Sequence, residues 1–546
     1  MPPTRRTVLQ QLSALGLLAP AAYAQSMAQT MIQGYEVAAP KPTPMSMTSA
    51  APLAVPIFHA SNLASFVDPL PLPERARPVA AAHPRKFRIA MREIHAKVHR
   101  DLPPTRQWSY GETALAPLID VHTHQPLEIE WVNNLPAEHF LPIDHSLHGC
   151  GRDIPDVRAC VHLHGGRTPA KDDGQPDEWF VPGKSRICTY PLQQEATALW
   201  YHDHAMGLNR LNMYAGLFGM VLLRSPEEDA LHLPSGKYEV PLVIYDRLFT
   251  TDGQLLYPDS GDPEHAWIPE FAGDAILLNG KIRPYFEVEP RLYRFRVVNA
   301  ANSSFFSLSL TGSQPGNQPF RQIGTDQGLL ATPVELRSLL LAPAERADLL
   351  IDFSRAAGQR LHLRNSLSEI LEFRVASQTS ALATAVPATL RSIQRTPESA
   401  AVTTRPIMLN EYKDKIGNSM IMLLNRKRWH EPVTETPRIN TTEIWEFINL
   451  TEDTHPMHLH LVRFQLLDRR VFDVFAYENG RQVKFRGPVL SPEPNELGWK
   501  DVIQCPPGII TRIIVTFDGY PGDYLYHCHI LENEANDMMR PFRVLA

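Results

Sequence analysis

Residues 526–539 read YHCHILENEANDMM and set two histidines, His527 and His529, on either side of Cys528. In an extended chain residues i and i+2 share a face and residue i+1 takes the other. The two imidazoles then point one way and the thiol the other. Such a thiol can hold one metal while it is covalently joined to the ligands of a second. A strand that carries this chemistry implies a β protein, and the rest of the chain tests that reading.

Twenty-two histidines in 546 residues predict roughly one His-x-His pair by chance. The chain has five: His122/His124, His162/His164, His202/His204, His458/His460 and His527/His529. Four have site-like surroundings. VHLHGG ends a strand on a Gly-Gly turn, WYHDHAMG and YLYHCHI follow aromatic strand residues, and HPMHLHL has His455 just upstream. His122/His124 leads into an ordinary strand, and it reads as solvated, as do His95, His99, His145 and His148. Imidazole suits several metals, whereas Cys528, His455 and Met538 supply three of the four blue-copper ligands.

The strand pattern extends along the chain. KFRIAM, LEIEW, YRFRVV and RIIVTF alternate apolar and polar residues between Pro, Gly or Asn breaks, and no long amphipathic helix competes with them. Many short strands predict sandwiches or barrels. Breaks at RSPEED and across 376–404 divide the chain into domains over 66–225, 226–375 and 405–546, with 376–404 as linker. Residues 25–65, rich in Pro and Ala and holding four methionines, read as a disordered tail, with order expected from near Phe66.

Composition removes several function classes. A net charge of -6 argues against nucleic-acid and anionic-membrane partners, and no segment reaches the roughly 18 apolar residues of a span. Residues 1–24 pair Arg5-Arg6 with a weakly apolar run ending in Ala22-Tyr23-Ala24, a signal for twin-arginine export to the periplasm. Five cysteines are too few to define the fold, although Cys150 and Cys160 are close enough in sequence to bridge.

With these motifs the chain resembles the multicopper oxidases, above all the bacterial spore-coat laccase and bilirubin oxidase branch. FVDPLPLP, HRDLPPTRQWSYG, LNGKIRPYFEVEPRLYRFRVVNAAN, NRKRWHEPVTETPRINTTEIWEFIN and LLDRRVFD carry the likeness beyond the histidine loops, over residues 66–546. The resemblance implies an all-β fold of three cupredoxin-like Greek-key domains and up to four coppers per chain. By position, His162 and His458 would bind a type 2 copper. His164, His202, His204, His460, His527 and His529 would bind a type 3 pair. His455, Cys528 and Met538 would hold a type 1 copper, from which electrons would reach the cluster through Cys528. Asp173 and Glu534 match acids that the family uses to supply protons, and Asp501 would support a ligating histidine. The partners implied are O2 and a small phenolic, aromatic or bilirubin-like reductant, and a monomer is expected.

One position departs from the family. Five residues after the cysteine the family has histidine, and this chain has Asn533. An amide oxygen is a harder, weaker donor than imidazole. The type 1 site can bind copper with Asn533 or water as a weak ligand, bind it in one oxidation state, or stand empty. The sequence therefore supports a copper oxidase with a perturbed type 1 centre. The alternatives are a non-catalytic periplasmic copper-binding or storage protein and an oxidase of metal ions such as Cu(I) or Mn.

Overall fold

The computed structural model describes residues 57–262, 266–312, 316–378, 385–415 and 417–546. Its helices are short, the longest described ones spanning seven residues, and the strands pack as three pairs of sheets in chain order. The first pair comprises a four-stranded sheet built on Lys86–Ala96 and Leu127–Asn134, and a second with the order Ile119–His122, Phe218–Arg224, Thr197–Asp203, Val161–His164. The middle pair has nine and five strands. The last pairs a six-stranded sheet with a four-stranded one ordered Val502–Cys505, His455–Leu459, Gly522–Cys528, Met539–Val544.

Each pair repeats one pairing. Lys86–Ala96 runs parallel to Leu127–Asn134, Glu239–Thr250 to Leu292–Asn299, and Ala401–Lys413 to Thr442–Asn449. A parallel pair needs a crossover between its strands, so consecutive strands are fed to opposite sheets, as in a Greek-key sandwich. The all-β, cupredoxin-like expectation holds.

Alternation explains the strands that face solvent. Phe87, Ile89 and Met91 are buried while Lys86 and Arg88 are exposed. In Leu292–Asn299 both faces are buried, because Arg294 and Arg296 turn to Glu228, Glu239 and Asp348 instead of water. The apolar cores of the first and last pairs merge into one, with Trp108, Trp131 and Tyr201 on one side and Trp445, Tyr526 and Phe542 on the other. Each such side chain stabilises the fold by about 2–3 kcal/mol. This shared core fixes the two outer sandwiches against each other, and the histidine strands lie along their junction.

Three expectations change. Order begins before Phe66, since Ile57–Phe58 pairs with Phe249 and Thr250 on the middle sheet. The rest of the expected tail, its four methionines included, and residues 1–24 lie outside the described residues. The expected linker is packed at its far end. Leu390 is buried, its amide donates to the Ala331 carbonyl at 2.9 Å, and strand begins at Ala401 because Val402, Thr403 and Thr404 favour it. Cys150 and Cys160 do not bridge. Both are free thiols, Cys160 Sγ donating to the Gln175 carbonyl at 3.1 Å and Cys150 Sγ lying 3.9 Å from Arg158.

Candidate metal centre

Strand register builds the site. Val161–His164 lies antiparallel to Thr197–Asp203 with His162 opposite His202, and His455–Leu459 lies antiparallel to Gly522–Cys528 with His458 opposite His527. Because i and i+2 share a face, each hairpin-like pair projects its imidazoles toward the other sandwich. All eight histidines of the four motifs are buried at 1% exposure or less. Three groups form, each with its ligand atoms within 4.8 Å: His162, His164 and His458; His164, His202 and His529; His204, His460 and His527. His122 and His124 are absent from them, and His124 sits in a turn with φ of 58°.

The hydrogen bonds decide which nitrogen is free. A carbonyl oxygen can only accept, so a ring nitrogen facing one must carry the proton. His162 Nδ1 donates to the Asp173 carbonyl at 2.6 Å, His458 Nδ1 to Asp501 at 2.8 Å, His202 Nδ1 to Asp203 at 2.9 Å and His527 Nδ1 to Cys528 at 3.0 Å. Their Nε2 atoms are left with lone pairs directed inward. His164 is reversed: Nε2 faces Asp501 Oδ1 at 3.2 Å, which leaves Nδ1 free.

The free nitrogens then meet one another. His460 Nε2 is 3.1 Å from His527 Nε2, His164 Nδ1 is 3.3 Å from His202 Nε2, and the Nε2 atoms of His162 and His458 have no partner. Buried lone pairs aimed at lone pairs are costly unless a cation lies between them. Burial also pushes the imidazoles of His162, His164, His202, His204, His458, His460 and His529 below their ordinary pKa, His202 to about 3 and His204 to about 4. They are therefore neutral and able to ligate. The donor set fits borderline metals such as copper, and the thiolate nearby narrows that choice.

Two carboxyl groups touch the cluster. Asp173 Oδ2 accepts from His460 Nδ1 at 2.8 Å, and burial pushes its pKa well up, so it holds a proton readily. Glu534 lies 3.1 Å from His527 Nδ1 and 3.4 Å from His204 Nε2, and Asn209 Nδ2 donates to it at 2.6 Å. Burial raises its pKa, but His527 and His204 outweigh that and the net shift is downward. The two acids are thus shifted in opposite directions beside one cluster.

The second site lies behind Cys528. Its Sγ is 3.4 Å from His455 Nδ1, and Asn533 Nδ2 is 3.4 Å from the same nitrogen and 3.9 Å from Sγ. Met538 is fully buried beside them, its carbonyl accepting the Cys528 amide at 3.0 Å and its amide donating to the Asn533 carbonyl at 2.9 Å. Asn533 is 2% exposed and its Oδ1 has no hydrogen-bond partner. The two ends of an amide exchange by a simple flip, so this side chain can turn an oxygen toward a metal held by Cys528 and His455.

Several contributors were not legible as site residues. Thr451 Oγ1 lies 2.7 Å from His455 Nε2, and Arg346 and Gln327 reach Asp501 from the middle sandwich. His148, read as solvated, is 3.1 Å from Asp537, next to Met538. Charged residues in the otherwise apolar strand Arg346–Asp352 were the one signal available.

Comparison with known proteins gives the same direction. Residues 399–546 and 155–228 each match the family described as multicopper oxidase. A laccase of Bacillus subtilis (strain 168) is 44% identical over 515 residues, covering 88% of this chain and 99% of the relative. Multicopper oxidase LPR1 of Arabidopsis thaliana is 33% identical over 90% of this chain and 94% of its own length. Among solved structures, McoA multicopper oxidase from Aquifex aeolicus superposes with a TM-score of 0.72 at 27% identity, covering 89% of this chain and all of that one.

Proposed function

The chain belongs to the multicopper oxidase family, copper-dependent oxidoreductases, and from that premise we propose that it is a laccase-like oxidase whose type 1 site is altered by Asn533. Copper, when bound, would accept single electrons at the Cys528 site and supply the four-electron reduction of O2 to water at the histidine cluster. His162 and His458 would hold the type 2 ion. His164, His202 and His529 would hold one type 3 ion, and His204, His460 and His527 the other. These assignments rest on the three histidine groups and on the nitrogens that their hydrogen bonds leave free. His455, Cys528 and Met538 would hold the type 1 ion, with Asn533 Oδ1 as a weak fourth donor.

The protein's own part is positioning and proton supply. Cys528 joins its site to His527 and His529 through a few covalent bonds. Asp173, whose carboxyl pKa burial raises, would take up a proton at Oδ1, which has no hydrogen-bond partner, while Oδ2 accepts from His460, and Glu534 would act from its charged form beside His527 and His204. The twin arginines Arg5 and Arg6 support export to the periplasm, which cell fractionation of an Arg5→Lys, Arg6→Lys variant would test. Retention of that variant with the cytoplasmic fraction is expected.

The observation that carries the reading is the complete set of eight buried histidines beside Cys528 and His455, with the Asn533 amide 3.4 Å from His455. The test is oxygen uptake with a phenolic donor for the wild type and for Asn533→His. A rise of at least tenfold on restoring histidine supports an oxidase limited at its type 1 site. No turnover in either protein supports a copper-storage role.

A second reading, a metal-ion donor, is favoured by one cluster. Glu270 hydrogen-bonds Asp453, and burial with Asp453 and Glu411 nearby pushes its carboxyl up to about 8. Thr451 Oγ1 contacts both the Asp453 backbone and His455 Nε2, so the acids lie at the outer edge of a type 1 ligand. Carboxylates suit hard or divalent cations. Oxygen uptake with Mn(II) that is lost in Glu270→Gln, while phenol turnover persists, would establish it.

A further inference from the structure

The middle sandwich contributes no histidine to the cluster, yet Arg346, from its strand Arg346–Asp352, reaches to within one residue of the cluster's ligands. All five N–H bonds of its guanidinium are used. Nε donates to Ala198 O at 3.2 Å, Nη1 to Ala344 O at 2.9 Å and Asp501 Oδ1 at 2.7 Å, and Nη2 to Asp326 O at 3.1 Å and to Asp501 Oδ2. These acceptors come from all three sandwiches: Ala198 from the first, Ala344 and Asp326 from the middle, Asp501 from the last. The group is 1% exposed and has no donor to spare.

Asp501 passes this fixation on. Its carboxylate faces His164 Nε2 at 3.2 Å, and its carbonyl accepts from His458 Nδ1 at 2.8 Å. Gln327 Nε2 donates to Asp501 Oδ2 at 2.5 Å and to Gly165 O at 2.9 Å. Asp501 therefore selects the free nitrogen of two histidines at once, Nδ1 of His164 and Nε2 of His458. Its own orientation is set by a bidentate arginine, a geometry that a lysine point charge does not reproduce. The glycine of VHLHGG belongs to the same node. Gly165 has φ of +81°, and a Cβ there would lie 2.6 Å from Asp501 Oδ2, 2.7 Å from Arg346 Nη2 and 2.9 Å from Gln327 Nε2.

The geometry points to Arg346, assisted by Gln327, as a positioning residue for the histidine cluster: through Asp501 it fixes the ring tautomers of His164 and His458. The inference rests on the proposed copper cluster and adds to it a dependence on the middle sandwich. Losing such outer support typically costs about 10- to 100-fold in metal affinity.

The test uses the full chain as Arg346→Lys, Gln327→Met and Gly165→Ala. Folding of each is checked by thermal unfolding of the metal-free protein. Cu(II) is then added, and copper retained after dialysis and the electron paramagnetic resonance spectrum of the type 2 ion are measured. The expected result is folded Arg346→Lys and Gln327→Met proteins whose copper affinity falls about 10- to 100-fold and whose type 2 hyperfine pattern changes. Wild-type affinity and spectrum in every folded variant would overturn the inference. If Arg346→Lys does not fold, Gln327→Met, which removes one hydrogen bond to Asp501 and keeps the salt bridge, decides the matter by the same readouts. Failure of the wild type itself to retain copper would overturn the cluster assignment instead.

Discussion

Asn533 stands 3.4 Å from His455 and 3.9 Å from Cys528 yet offers only an amide, so it tests how much of the proposed type 1 site would be set by that one side chain. The acids beside the cluster raise a separate question at the same scale. Asp173→Asn keeps an oxygen that can accept from His460 Nδ1 but cannot hold the same proton. Turnover is expected to fall about 100-fold with copper content unchanged, as measured by steady-state oxygen uptake and metal analysis. Loss of copper along with activity would make Asp173 a structural residue. The donor types were legible at this scale because thiolate, imidazole and thioether are chemically specific and their i, i+2 spacing has a geometric meaning. The hydrogen bonds that choose a ring nitrogen were not, since Asp173 and Asp501 lie far along the chain from His460 and His164.

The helix Leu531–Ala535 carries Asn533 and Glu534 into adjacent sites, and its placement depends on the residue before them. Glu532 is fully buried and accepts from Tyr257 Oη at 2.6 Å, Asn302 Nδ2 at 2.8 Å and Ser303 Oγ at 2.8 Å, while its carbonyl accepts from Trp267 Nε1 at 2.9 Å. Glu532→Ala leaves three buried donors unmade, at about 1–3 kcal/mol each. A lower thermal midpoint is expected, together with loss of copper at the Cys528 site before loss at the cluster. An unchanged midpoint would show that the helix is held by packing alone. Strands with alternating burial, such as Lys86–Ala96, could be read from sequence. This five-residue helix could not, because its position is fixed by side chains from the middle sandwich and not by its own periodicity.

Across the whole molecule the sandwiches are joined by buried charge. The RSPEED segment was legible as a break, but its role was not: Glu228 accepts there from Arg294 at 3.0 Å and lies 3.4 Å from Arg296. Burial raises its carboxyl pKa, but Arg294 and Arg296 outweigh burial and hold it down at about 2. A folded pKa below the unfolded value of about 4.3 stabilises the protein above pH 4.3, and that contribution is lost as pH falls toward 2. A shift of that size corresponds to a contribution on the order of 3 kcal/mol. Thermal midpoints of wild type and Glu228→Gln should therefore differ at pH 7 and converge near pH 2–3, while a constant gap would refute the linkage.

Copper would act on a different junction, because the histidines proposed to hold it come from the first and last sandwiches. Chelation should lower the midpoint, and the cooperative unfolding of those two sandwiches should loosen first, as hydrogen exchange of Val161–His164 and His455–Leu459 would report. The most direct measurement of the account as a whole is a copper count combined with the visible spectrum of the fully loaded, oxidised wild type. The account predicts a filled histidine cluster, at about three coppers per chain or more, without the intense thiolate-to-copper band, and recovery of that band in Asn533→His. Four coppers per chain with a strong band in the wild type would contradict it.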